Sequence, residues 1–211
     1  MPTSLRLSIG PQELEGDLWL SDRPRGIVVF AHGSGSSRHS RRNRHVAMAL
    51  QRGGLGTLLF DLLTPQEADD RANVFDILLL AQRVHDALDA LDALPQARQP
   101  IGLFGASTGA AAALVAAARR PDRVQAVVSR GGRPDLAGEA LDGVAAPTLL
   151  IVGGADTEVL AVNRMAMGRL RCQARLEIVP RATHLFEEAG TLEAVAGLAR
   201  GWFLEHLRAP A

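Results

Sequence analysis

Gly105-Ala106-Ser107-Thr108-Gly109 sets a serine between two glycines, with the apolar run 101–104 before it and the Ala-rich run 110–120 after it. This is the pattern of a nucleophile elbow, a strained strand-to-helix turn that lifts a serine hydroxyl above a parallel sheet. Glycines on either side let the helix leave the strand at close quarters, where a side chain would clash. A serine hydroxyl is a poor nucleophile unless a base removes its proton as it attacks. Two downstream residues suit that chemistry. His184 titrates near neutral pH and can return the proton to a leaving group. Asp156 can fix the imidazole tautomer and stabilise the imidazolium that forms.

These residues need elements to hold them. Leu5-Arg6-Leu7-Ser8-Ile9 alternates apolar and polar, residues 14–20 do so less cleanly, and Gly10-Pro11 lies between them, which predicts an antiparallel hairpin at a sheet edge. Runs 26–31, 57–60, 101–104, 124–128, 148–152 and 174–179 are the predicted strands of the sheet, most of them continuous apolar runs expected of strands covered on both faces. Helices are predicted over 41–51, over the stripe Ile77, Leu80, Val84, Leu88 and Leu91, over 110–120, over 158–170, and along the stripe Leu192, Val195, Leu198 and Trp202. The alternation predicts one α/β domain over 1–211, a doubly wound, mostly parallel sheet with helices on both faces. Ligand sites in such folds gather beyond the carboxyl ends of the strands, and His32, Ser107, Arg130, Asp156 and His184 all fall there.

Composition narrows the function. Lys+Arg and Asp+Glu both total 23 in 211 residues, so nothing draws the chain broadly to nucleic acid or membrane. Cys172 is the single cysteine, which excludes an internal disulfide and reads as an inert thiol in a reducing compartment. The first ten residues lack the apolar run of a signal peptide, and the most hydrophobic window, 110–118, is too short to span a bilayer. The expectation is a cytoplasmic protein. His32, His39 and His45 lack metal-ligand spacing with carboxylates, and Gly33-Ser34-Gly35-Ser36-Ser37 lacks the ending of a phosphate-binding loop. No metal or cofactor is expected.

With Ser107 on its elbow, Asp156 after the penultimate strand and His184 after the last, the chain resembles the α/β-hydrolase family, whose triad runs in the order Ser, Asp, His. The resemblance extends from about Leu5 to Leu207 and is strongest to the small, lidless dienelactone-hydrolase-like branch. Dienelactone hydrolases proper carry a cysteine nucleophile where this chain has Ser107. The resemblance implies an α/β-hydrolase fold without a cap domain. It also implies an oxyanion hole of two backbone N–H groups, Thr108 and, in the loop after the early strand, Ser34 or its neighbour Gly35. One such donor is worth about 3–4 kcal/mol of transition-state stabilisation. The implied reaction is cleavage of a small carboxylic ester, lactone or thioester through an acyl-enzyme on Ser107.

Each residue also has a plainer reading. Ser107 and Asp156 can serve as helix N-caps, and His184 as a solvated loop residue. Asp135 is an alternative acid. His32 is expected to order the oxyanion loop; His39, His45, His85 and His206 read as surface or helix-face residues. Arg130, with Arg41 or Arg42, is expected to receive an anionic group of a small-molecule substrate, unless these arginines pair with Asp61, Glu67 or Asp135. The same triad would also serve an acyltransferase or perhydrolase, and the scaffold alone could be a non-catalytic binder. Oligomeric state has no signature in the sequence.

Overall fold

Every predicted strand forms, and the computed structural model, which describes residues 1–208, joins them in one eight-stranded sheet. In chain order the strands are β1 (Thr3–Ile9), β2 (Leu14–Leu20), β3 (Ile27–Ala31), β4 (Gly56–Phe60), β5 (Ile101–Ala106), β6 (Val124–Arg130), β7 (Thr148–Gly153) and β8 (Ala174–Val179). They lie in the order β1-β2-β4-β3-β5-β6-β7-β8. β1 pairs antiparallel with β2, in register Thr3 to Leu20, and β2 antiparallel with β4; every later pairing is parallel. The carboxyl ends of β3 to β8 therefore share one rim.

The helices are α1 (Arg41–Arg52), α2 (Pro65–Ala68), α3 (Arg71–Phe75), α4 (Ile77–Asp92), α5 (Thr108–Arg119), α6 (Thr157–Met167) and α7 (Thr191–His206), with 3-10 turns at Pro95–Ala97 and Pro134–Gly143. Successive strand residues point to opposite faces, so one strand feeds two cores. Ile27, Val29, Leu58, Leu103, Val127 and Leu150 pack beneath α4, α5 and the 134–143 segment. Val28, Phe30, Phe104, Val128 and Ile151 pack beneath α1 and α7. Phe30 and Phe104 meet at 4.9 Å between ring centroids, and each fully buried side chain of this size contributes roughly 1.5–3 kcal/mol. With both faces covered, β3 and β5 are apolar throughout.

Residues 133–147 form no separate lid: the 3-10 turns fold back and bury Pro134, Ala137 and Leu141. Residues 61–76, which carry no helical or strand periodicity, form α2 and α3. α2 begins with a capping box in which Thr64 Oγ1 accepts from Glu67 N–H and Glu67 accepts from Thr64 N–H. Asp70 and Asp76 cap α3 and α4 by accepting from Ala72 N–H and Leu79 N–H. Among the described residues no helix is long and apolar enough to cross a membrane.

Candidate active site

Ser107 stands between β5 and α5 with φ 51° and ψ −121°, a conformation costing roughly 1–3 kcal/mol in a non-glycine residue. The surroundings enforce it. A methyl at Gly105 would strike the backbone of Ala110, and one at Gly109 would strike the carbonyls of Ala31 and His32. Thus the elbow glycines are required because α5 presses on β5 on one side and on the end of β3 on the other. Ser107 N–H donates to Arg130 O at 3.4 Å, and its carbonyl accepts from Arg133 N–H at 3.1 Å, tying the elbow to the end of β6. Ser107 occupies the N-cap position of α5, yet its side chain makes no capping bond.

Asp156 likewise precedes α6 without capping it. Its Oδ2 lies 2.7 Å from His184 Nδ1. A protonated Nδ1 donates to that carboxylate, which leaves Nε2 as the acceptor a nucleophile needs. Two loops make this contact. Ala155 N–H donates to Ala182 O at 2.9 Å and Gly154 N–H to Val179 O at 2.9 Å, latching the loop after β8 to the loop after β7. Glycine at 153 permits the latch, since a methyl there would collide with the carbonyls of Ala182 and Thr183. Beneath the imidazole lies Gly131, where an added methyl would stand 3.2 Å from His184 O and 3.6 Å from its Cε1. Asp135 is engaged elsewhere, with Arg133 at 2.6 Å.

Ser107 and His184 line one cavity of about 230 Å³ together with Ser34, Arg42, Asn43 and Arg130. Arg41 is exposed at the start of α1 and is not part of that wall; neither are His39, His45, His85 and His206. Thr108 opens α5, so its N–H is one of the four without an intrahelical acceptor. Ser34 N–H donates to Thr108 Oγ1 at 3.1 Å, which ties the loop after β3 to the helix behind Ser107. His32 fixes the base of the same loop. Its Nε2 accepts from Leu62 N–H at 3.0 Å, so Nδ1 carries the proton and donates to Gly33 O at 3.0 Å. Burial pushes its pKa below the usual histidine value, against the raising effects of the Gly33 bond and Asp61. With both nitrogens engaged it orders the loop and has no lone pair left for a substrate.

The arginines divide. Arg38 pairs with Asp61 and Glu15, Arg83 with Glu67 at 2.7 Å, and Arg133 with Asp135. Arg42 meets Glu187 at 3.4 Å on the surface. Arg130 meets Asn43 Oδ1 at 3.5 Å and the ring of Phe186 at 5.9 Å.

Sequence reasoning overlooked three contributors. Asn43 is buried on α1, hidden in a run of arginines. Phe186 faces Arg130 from the loop after β8, which turns through positive φ at Arg181 and Phe186. A larger cavity, about 530 Å³, lies beyond the 33–36 loop, lined by Leu62, Val74, Phe75, Leu80 and Thr108 among others. The Thr64-Pro65-Gln66-Glu67 capping signature was the available clue to its wall. Among the described residues no three His, Cys, Asp or Glu side chains converge as a metal site would require.

An elbow serine, an Asp–His pair from the last two strands and a sheet of this order define a class, and the chain belongs to the α/β-hydrolase family: the family model described as alpha/beta hydrolase fold matches residues 26–179. Its resemblance is to the dienelactone-hydrolase-like branch. A dienelactone hydrolase from Anabaena variabilis superposes with a TM-score of 0.93 at 55% identity, covering 99% of each chain. A Xanthomonas campestris protein described as an α/β serine hydrolase without lid superposes with a TM-score of 0.78 at 22% identity, over 100% of this chain and 97% of that one, and shares the fold. A Mycobacterium tuberculosis H37Rv protein provisionally named a phosphoribosyl transferase is 60% identical over 202 residues, which is 95% of this chain and 46% of that protein. This chain therefore spans about half the length of that relative.

Proposed function

We propose that the protein is a serine hydrolase that cleaves a small carboxylic ester, lactone or thioester. The observation that carries this reading is the 2.7 Å contact of His184 Nδ1 with Asp156, made at the wall of the cavity that also contains Ser107 on its strained elbow. Ser107 Oγ attacks the carbonyl carbon while His184 Nε2 takes its proton; Asp156 stabilises the resulting imidazolium. The developing oxyanion is received by Thr108 N–H and by the loop after β3. There Ser34 N–H gives up or shares its bond to Thr108 Oγ1, with Gly35 the neighbouring donor. The tetrahedral adduct collapses as His184 protonates the leaving oxygen or sulfur. Water, deprotonated by His184, then releases the acid and frees Ser107.

Likeness to the Anabaena dienelactone hydrolase supports this reading. The transferase name of the mycobacterial relative belongs to a protein about twice as long and is not carried over. A cytoplasmic location is part of the proposal, in keeping with an unpaired Cys172. A fluorophosphonate probe tests the mechanism: the wild type should be labelled at Ser107, and Ser107→Ala should lose both labelling and ester hydrolysis. A wild type that resists labelling would end the reading.

A further inference from the structure

The cavity beside Ser107 holds a cation with nothing to neutralise it. Arg130 is 7% exposed. The only hydrogen bond of its side chain among the described residues is the 3.5 Å one to Asn43, and its Nε has no partner. The charged neighbour it feels is Arg42, a second cation. Burial first, and Arg42 second, lower its pKa to about 10, so it stays protonated at neutral pH. The carboxylates that might have served it are taken: Asp61 by Arg38, Glu67 by Arg83, Asp135 by Arg133. A buried charge without a counter-ion is costly, and a guanidinium presents a fork suited to carboxylate or phosphonate oxygens. Arg130 also adjoins Gly131, on which His184 rests, so an anion there lies close to the reacting carbonyl. Across the 33–36 loop, whose Gly33, Ser34 and Ser36 line both cavities, the second chamber of about 530 Å³ is walled by Leu62, Leu63, Val74, Phe75 and Leu80.

We propose that the substrates have two unlike arms: a short one ending in an anionic group received by Arg130 with Arg42 beside it, and an apolar one held in the larger chamber. This rests on the hydrolase reading and adds its substrate class. Arg130 is then the residue that sets specificity, by making anionic esters better substrates than neutral ones of the same shape.

Benzyl hydrogen succinate and benzyl 3-phosphonopropanoate supply the anionic arm, and benzyl 4-oxopentanoate is their neutral counterpart. For the wild type, kcat/KM should favour at least one anionic ester by about tenfold or more, as expected for a charge-assisted pair. The two anionic arms tell carboxylate from phosphonate recognition. Arg130→Met should erase the preference and Arg130→Lys should keep part of it. The melting temperature of Arg130→Met should equal or exceed that of the wild type, because an unpaired buried charge has been removed. Absence of an anionic preference in the wild type, or equal losses on all esters in Arg130→Met, would overturn the assignment. Ser107 labelling without turnover of any of these esters would overturn it too while leaving the hydrolase reading intact. Failure of labelling would remove both.

Discussion

Asp156 is a residue whose worth can be measured alone. Its carboxylate stands ahead of α6 and is spent on His184, not on capping that helix. In the proposed mechanism, Asn at this position would keep the shape but lose the charge that steadies the imidazolium, and would allow the wrong tautomer. Asp156→Asn should lower kcat by about 10³–10⁴-fold while leaving the circular dichroism spectrum unchanged. A loss below tenfold would mean that another acid supports the base. Asp135 is poorly placed for that duty, being bound to Arg133 through Oδ1 and Oδ2.

At the scale of elements, the site is a set of loops held against one another at the rim of the sheet. The latch between the loops after β7 and β8 depends on Gly153, because the carbonyls of Ala182 and Thr183 occupy the space a side chain would need. Gly153→Ala should cost about 2 kcal/mol or more in urea denaturation, in line with overpacking of a tight contact, and should reduce kcat as His184 is pushed from Asp156. Gly197 gives the contrast. It is exposed on α7, with nothing within 4 Å of an added methyl. Gly197→Ala should stabilise the fold by about 0.5–1 kcal/mol and leave kcat unchanged.

The whole molecule carries a pH dependence from histidines it keeps neutral. Burial lowers the pKa of His32, and the same cause lowers that of His85 on α4. In the unfolded chain both titrate near about 6.5. As pH falls, the unfolded state therefore binds protons before the folded one, and stability declines. The melting temperature should be flat just above about pH 7 and fall as pH drops below about 6.5. His32→Gln, less stable at pH 7 through loss of the Leu62 and Gly33 bonds, should show a shallower acid slope. An unchanged slope would mean that His32 binds a proton as readily in the folded protein as in the unfolded chain.

The sequence by itself determined what is local or repetitive. Apolar runs and helical spacing marked the strands and long helices to within a few residues, because sheets covered on both faces and amphipathic helices leave periodic traces. Gly105-x-Ser107-x-Gly109 announced the elbow, since only glycine fits where backbones nearly touch. Tertiary structure alone decided the rest. That Asp156 serves His184 and not a helix end is a contact across 28 residues of chain. That Arg130 lacks the carboxylates taken by Arg38, Arg83 and Arg133 is likewise a matter of packing. Arg133 meets an acid two residues along the chain, but Arg38 and Arg83 meet acids 23 and 16 residues away, and those pairings are set by how distant segments fold together.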